Sequence, residues 1–314
     1  MFTTVFNQTL IFIILIVLGC FIAKSKLVPQ GTDKALSTLE KNIFLPSLVL
    51  VTFIQQCTPS VFASSWRLLL FGCLLFVVVP IAIAISKGMF KNRDSQRLST
   101  YALIFSNYGY MGNAMIIAIF PELFFDYTIF TFPVTILMYV WGIPTLLLSD
   151  DNKKGIKARL MTLVNPMLIC MLIGIIIGLL QLDVPVFFIS SIQALANCMS
   201  PLAMILTGMV IAKIDISKFL KKWRIYIVVA IKLLVFPLAY LLIVMWIPQG
   251  TFLTRSALIC AMCYMTMPTG LNPIVLPLAC GKDVSEAAGM ALISHLFCVL
   301  TIPLMFMLLQ NLVL

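Results

Sequence analysis

Two stretches of the chain carry residue types suited to holding a small ligand. Asn107-Tyr108-Gly109-Tyr110-Met111-Gly112-Asn113 and Met267-Pro268-Thr269-Gly270-Leu271-Asn272-Pro273, the latter followed by Pro277, each interrupt a long apolar run. Proline removes a backbone donor and clashes with the preceding turn, and glycine weakens a helix. Both stretches are therefore expected to break a helix in apolar surroundings, where freed backbone groups must be satisfied by protein, water or a ligand. The resumed half-helices would present N–H groups and a positive dipole end, which favours an anion. Asn107, Asn113 and Asn272 add amides that donate to carboxylate oxygens, or accept from a hydroxyl, without a permanent charge. Glycine and proline are also common in membrane helices for packing alone; the pairing of two such breaks with asparagines favours binding.

Few other polar groups fall inside apolar runs. Lys232, within Ile231-Lys232-Leu233-Leu234, is the one clear base there, an expensive placement that marks a functional candidate. Three readings stand for it: attracting an anion, donating to carbonyls freed by the breaks, or snorkelling to an interface. His295, the only histidine, reads either as a proton acceptor or, more in keeping with burial, as a neutral ring donating to a carbonyl. The predicted crossings hold no central Asp or Glu, since Asp183 and Glu286 fall at ends, which weakens a carboxylate-based ion site. Cys260 and Cys263 form a C-x-x-C, but with neither a second pair nor a histidine nearby; they and most of the nine cysteines sit in apolar runs as small hydrophobes. No catalytic group, metal site or cofactor is expected.

The elements that would position these residues are membrane helices. The 314 residues are 62% hydrophobic and 10% charged, with a mean hydropathy of +1.11; soluble domains are about half apolar and a quarter charged. Apolar windows predict ten crossings, at 5–23, 42–57, 66–87, 98–120, 127–149, 160–180, 190–212, 223–247, 255–280 and 286–311. Met1 to Thr4 lacks the cationic region of a cleavable signal, so the first crossing is expected to be retained. Of the 21 basic residues, all but Arg67, Lys232 and Arg255 fall at the odd-numbered connectors. The positive-inside rule then places those connectors in the cytoplasm and both termini outside, in a cytoplasmic membrane. The net charge of +10 is spread over short loops, so it follows topology and does not suggest nucleic acid. Trp66, Trp223 and Trp246 read as interface anchors.

The hydrophilic stretch 149–159 divides the chain into halves, 1–150 and 151–314, of five crossings each. Asn42, Pro46 and Thr52 are answered by Asn197, Pro201 and Thr207, and Gly19 by Gly174. Val28-Pro29 is answered by Val184-Pro185, Asn113-Ala114 by Asn272-Pro273, and Ile143-Pro144 by Ile302-Pro303. Slowly drifting offsets are the mark of one duplication with small insertions. An odd number of crossings per half turns the copies upside down relative to each other, an architecture of secondary transporters.

On these residues the chain resembles the auxin efflux carrier family, the PIN-like transporters, and by fold the bile acid:sodium symporters. The resemblance spans the whole chain and is most specific over Met267 to Pro273, Gly281-Lys282-Asp283, Glu286-Ala287-Ala288 and Thr301 to Leu304, with Asn107 to Gly112 and Asn197 to Pro201 and Gly208. It implies a scaffold of crossings 1, 2, 6 and 7 and a transport domain of crossings 3–5 and 8–10, moving as an elevator, with a scaffold-mediated homodimer. The substrate would sit where broken crossings 4 and 9 meet, at Asn107, Gly112, Asn113, Ala114, Gly270, Asn272 and Pro273. Pro273 matches the family's crossover proline, whereas Ala114 stands where its counterpart is usual. Bacterial members are linked to malate, malonate and similar carboxylates, and plant members to auxin.

The expectation is therefore an all-α polytopic carrier, not an enzyme, moving a small organic anion across the bilayer, with H+ or Na+ as candidate coupling ions. A sodium-coupled symporter and a non-transporting receptor of the same fold are the alternatives. An enzyme would need a cluster of acid, base or nucleophile facing one cavity, which the chain does not offer.

Overall fold

A computed structural model describes residues 2–25, 27–148, 164–213, 222–246, 254–279 and 284–313. The dividing stretch 149–159, the basic residues Lys26, Lys218 and Lys221, and Gly281-Lys282-Asp283 lie outside the described residues. The described chain is all-α. Seven of its helices are long and apolar enough to cross a membrane: α1 (Phe2–Lys24), α2 (Thr32–Gln56), α3 (Pro59–Met89), α6 (Pro121–Leu147), α8 (Val186–Ile211), α9 (Trp223–Met245) and α12 (Ser285–Leu312). A shorter apolar helix, α7, spans Pro166–Leu179. The remaining four are α4 (Arg93–Ile104), α5 (Asn113–Ile119), α10 (Arg255–Thr266) and α11 (Asn272–Ala279). A 12-residue helix rises only about 18 Å, well short of the roughly 30 Å hydrocarbon, so none of these four crosses alone.

Local chemistry sets many of the boundaries. Side chains of Thr58, Asn92, Asn165 and Thr254 cap α3, α4, α7 and α10, accepting from Val61, Asp94, Leu168 and Ala257 N–H groups. Pro59 and Pro166 open α3 and α7 at the position where a missing N–H costs nothing. Three of the prolines inside helices coincide with wide π-helical turns: Glu40–Phe44 precedes Pro46, Met138–Leu147 contains Pro144, and Ile231–Val235 precedes Pro237. Widening the turn relieves the clash between the proline ring and the carbonyl four residues back.

Two sequence-based boundaries shift the most. The second helix starts at Thr32, ten residues before the apolar run at 42, so Glu40 lies within a helix and not in a connector. The third starts at Pro59, which leaves Trp66 inside α3 instead of at its end.

The helices pack in recognisable sets. α8 lies against α1 and α2, and α7 lies against α2. Glycines permit this: a Cβ on Gly19 would meet the Ile205 carbonyl oxygen, and one on Gly208 the Ile16 carbonyl oxygen. A Cβ on Gly174 would lie 3.2 Å from the Leu50 carbonyl oxygen and 2.6 Å from the Phe53 Cβ. Elsewhere α3 packs on α4 and α6, α9 on α12, and α10 on α6 and α12, while α1 also meets α12. Large apolar side chains face outward, among them Ile14, Val17, Leu70, Val77, Leu172, Ile176, Leu242 and Ile243. That is the surface a bilayer covers.

Candidate functional site

The site is built from the two interruptions. α4 stops at Ile104 and Phe105 turns extended; α10 stops at Thr266 and Met267 turns extended. The unwound stretches meet antiparallel, Ser106 bridging to Thr269, with the Asn107 N–H donating to the Pro268 carbonyl at 2.7 Å. The chain then re-enters helix through a π-helical turn at Tyr108–Gly112 on one side, and at Asn272 on the other.

Side chains from other helices satisfy the backbone groups that the breaks release. The Lys232 ammonium donates to the Leu103 carbonyl at 3.1 Å and lies over the Tyr264 ring. The Tyr264 hydroxyl donates to the Ile104 carbonyl at 2.7 Å, and Ser294 Oγ accepts from the Thr269 N–H at 3.0 Å. His295 Nδ1 lies 2.7 Å from the Ala291 carbonyl and its Nε2 lies 3.2 Å from Asn107 Nδ2. The carbonyl can only accept, so Nδ1 carries the proton and Nε2 accepts from the Asn107 amide. His295 thus orients Asn107.

A cavity of about 530 Å³ adjoins this crossing. Asn107, Asn113, Gly270 and Asn272 line it, together with Lys41, Tyr101, Tyr108, Tyr110, Tyr139 and the threonines at 128, 131 and 135 of α6. Asn272 Nδ2 donates to the Tyr101 hydroxyl at 3.1 Å, Asn113 Nδ2 to the Gly109 carbonyl at 2.9 Å, and the Tyr108 hydroxyl shares a bond with Thr135 at 3.0 Å. The wall is thus rich in neutral hydroxyls and amides, with Lys41, exposed on α2, as its cation.

The other sequence-selected residues lie behind that wall. Ala114 is fully buried and Pro273 buried, while Lys232 and His295 are 3% and 2% exposed and serve the backbone and Asn107. Gly112 faces the Tyr127 hydroxyl, which a Cβ would strike. Cys263 directs its thiol at the Gly112 carbonyl and Cys260 is buried as a free thiol. Sequence reasoning missed Lys41, which it read as a connector charge, and the four cavity tyrosines. The one signal for the tyrosines was their clustering around the first break, at 101, 108 and 110.

Comparison with known proteins agrees in kind with this arrangement. No curated protein matches the chain. The family described as "Membrane transport protein" matches residues 4–306, nearly the whole chain, so the protein belongs to the auxin efflux carrier family of membrane transport proteins and is a transporter, not an enzyme.

Proposed function

We propose that the protein is a secondary transporter that moves a small organic anion, a mono- or dicarboxylate of the malate or malonate kind, across the cytoplasmic membrane. The observation that carries this reading is the cavity beside two interrupted helices, where Asn107, Asn113 and Asn272 stand with Lys41. Amides and one ammonium bind a carboxylate without a buried fixed charge that would hold it too tightly to leave.

In this reading α4 with α5, and α10 with α11, are the fourth and ninth of ten crossings, in two inverted repeats of five. The glycine contacts support the repeat. Gly19 meets the backbone of Ile205, and Gly174 meets that of Leu50; both members of one pair stand 155 residues from their counterparts in the other. α1, α2, α7 and α8 form the scaffold, and α3 to α6 with α9 to α12 form the body that carries the crossing past it as an elevator. Lys41, Leu148 and Met167 line the cavity near odd-numbered connectors, so by the charge rule it opens to the cytoplasm, with both termini outside.

The test is thermal stabilisation of the purified protein by a panel of mono- and dicarboxylates, since a ligand that binds the native state raises its stability by mass action. A carboxylate at 100 times its Kd adds about 2.7 kcal/mol. The stabilisation is expected in wild type and to be lost in Asn272→Ala. No shift with any carboxylate at millimolar concentration overturns the anion assignment.

A further inference from the structure

Glu40 has no role in the site described above, yet it is the most isolated charge-bearing group among the described residues. It sits in the π-helical turn of α2, 0% exposed, and neither carboxylate oxygen has a hydrogen-bond partner. The helices packed on that turn are α7 and α8, and over Pro166–Leu179 and Val186–Ile211 they carry no charged side chain, with only the thiols of Cys170 and Cys198 able to titrate. On α2 itself Asp33 is paired with Lys213 at 2.7 Å, while Lys34 and Lys41 are exposed. The ion pairs among the described residues, Asp33 with Lys213 and Glu286 with Lys222, leave Glu40 out. From the crossing, Tyr110 lines the same cavity as Lys41, the residue next to Glu40, and lies close to Ser37 on α2 and within electrostatic range of Glu40.

A carboxylate out of water with no partner costs several kcal/mol, whereas a protonated carboxyl is only an unbonded polar group. Glu40 therefore fits its present surroundings with a proton and not without one. α2, α7 and α8 pack around it, and Tyr110, from the Tyr108–Gly112 turn that lines the cavity, is the residue of the crossing within its electrostatic range.

We propose that Glu40 is a proton-binding site that ties the position of the crossing turn against α2 to pH. With the proton bound, Tyr110 closes over a dry carboxyl. On dissociation the carboxyl O–H bond breaks, its electron pair stays on the Glu40 oxygen and the proton passes to cavity water. The carboxylate then needs hydration, which requires Tyr110 to move off α2. The proposal rests on the transport reading only in treating that turn as part of a moving body; the protonation itself does not depend on it.

The experiment uses the full chain in lipid nanodiscs, as wild type, Glu40→Gln and Glu40→Asp. Infrared spectra at neutral pH are expected to show a protonated-carboxyl C=O band that Glu40→Gln lacks. A proton held by the folded state and not by the unfolded chain makes stability slope with pH, and wild type is expected to show such a slope. Glu40→Gln loses that slope and Glu40→Asp keeps it. The protection factor over 106–112, which removes the intrinsic base-catalysed rise of amide exchange, is expected to fall with pH in wild type and to stay level in Glu40→Gln. A band or slope undiminished in Glu40→Gln overturns the proton site; a protection factor over 106–112 that ignores pH overturns its coupling to the crossing; stabilisation by sodium instead of acid, lost in Glu40→Gln, overturns the choice of ion. The carboxylate panel with Asn272→Ala is read separately, so either reading can fail while the other stands.

Discussion

Where α1 packs on α8 and where the two unwound stretches meet, backbone approaches backbone closely, but by different means. At Gly19 and Gly208 the absence of a Cβ lets one helix rest on the carbonyls of Ile205 and Ile16, and Gly174 and Gly178 do the same for α7 on Leu50, Phe53 and Cys57. Apart from the Cys20 thiol on the Gly208 carbonyl, fit is what holds these contacts. At the crossing, the Leu103 and Ile104 carbonyls and the Thr269 N–H each depend on one side chain from elsewhere, Lys232, Tyr264 and Ser294. Close-packed backbone has one good arrangement and resists sliding. A set of single hydrogen bonds can trade partners with water or a ligand at small net cost. The first kind of contact suits a frame, the second a part whose surroundings change.

The largest expected effect tests the frame. Gly208→Leu places a branched side chain against the Ile16 backbone, which cannot yield as a flexible side chain would, and is expected to destabilise by about 3 kcal/mol or more. The measurement is the thermal midpoint in detergent with lipid. A change under about 1 kcal/mol would mean that α1 and α8 separate freely, and the contrast with the crossing would fail. Next comes Tyr264→Phe, which keeps the ring packed against Tyr108 and Phe130 but leaves the Ile104 carbonyl without its donor. A buried acceptor left unsatisfied costs about 1–3 kcal/mol. Faster hydrogen exchange confined to the neighbourhood of residues 104–107 would show that the loss is local. An unchanged midpoint and exchange pattern would show that water already serves this carbonyl.

How far the sequence discloses these two regions depends on how local the causes are. The breaks are legible because Pro268, Gly270 and Pro273 act on the backbone where they stand, and Asn107 and Asn113 mark the other break by composition. The glycines of the frame are legible as a spacing, Gly19 answered by Gly174, but not as contacts, since Ile205 and Leu50 look like any other apolar residues. Lys232 is visible as a misplaced charge; that it serves the Leu103 carbonyl depends on a contact 129 residues away in sequence. The start of α2 is hidden because Asp33, Lys34, Glu40 and Lys41 interrupt the apolar pattern. The cover that buries Glu40 is supplied by α7 and α8, both more than a hundred residues away in sequence. The tyrosines of the cavity wall fail for a similar reason: Tyr101, Tyr108, Tyr110 and Tyr139 converge from three segments of the chain, and a lone tyrosine in a membrane helix carries no sign of what it faces.

The smallest expected change in stability separates the glycines of the crossing from those of the frame. At Gly270 an added Cβ would find the Ser106 carbonyl oxygen at 3.6 Å and Asn107 backbone atoms at 3.8 and 3.9 Å, ordinary contact distances. Packing therefore does not require glycine there, unlike at Gly112, where the Tyr127 hydroxyl stands in the way. Gly270 lines the cavity, and a glycine in such a place admits a ligand close to the backbone. Gly270→Ala is thus expected to fold with a change of no more than about 1 kcal/mol, while Gly270→Leu, extending further into the cavity, sharply weakens the stabilisation given by whichever carboxylate protects wild type. If both variants keep that stabilisation, the ligand does not approach the crossing at Gly270. If Gly270→Ala instead destabilises as much as Gly208→Leu, then the crossing is as tightly fitted as the frame, and the distinction between a shaped contact and an exchangeable one does not hold in this protein.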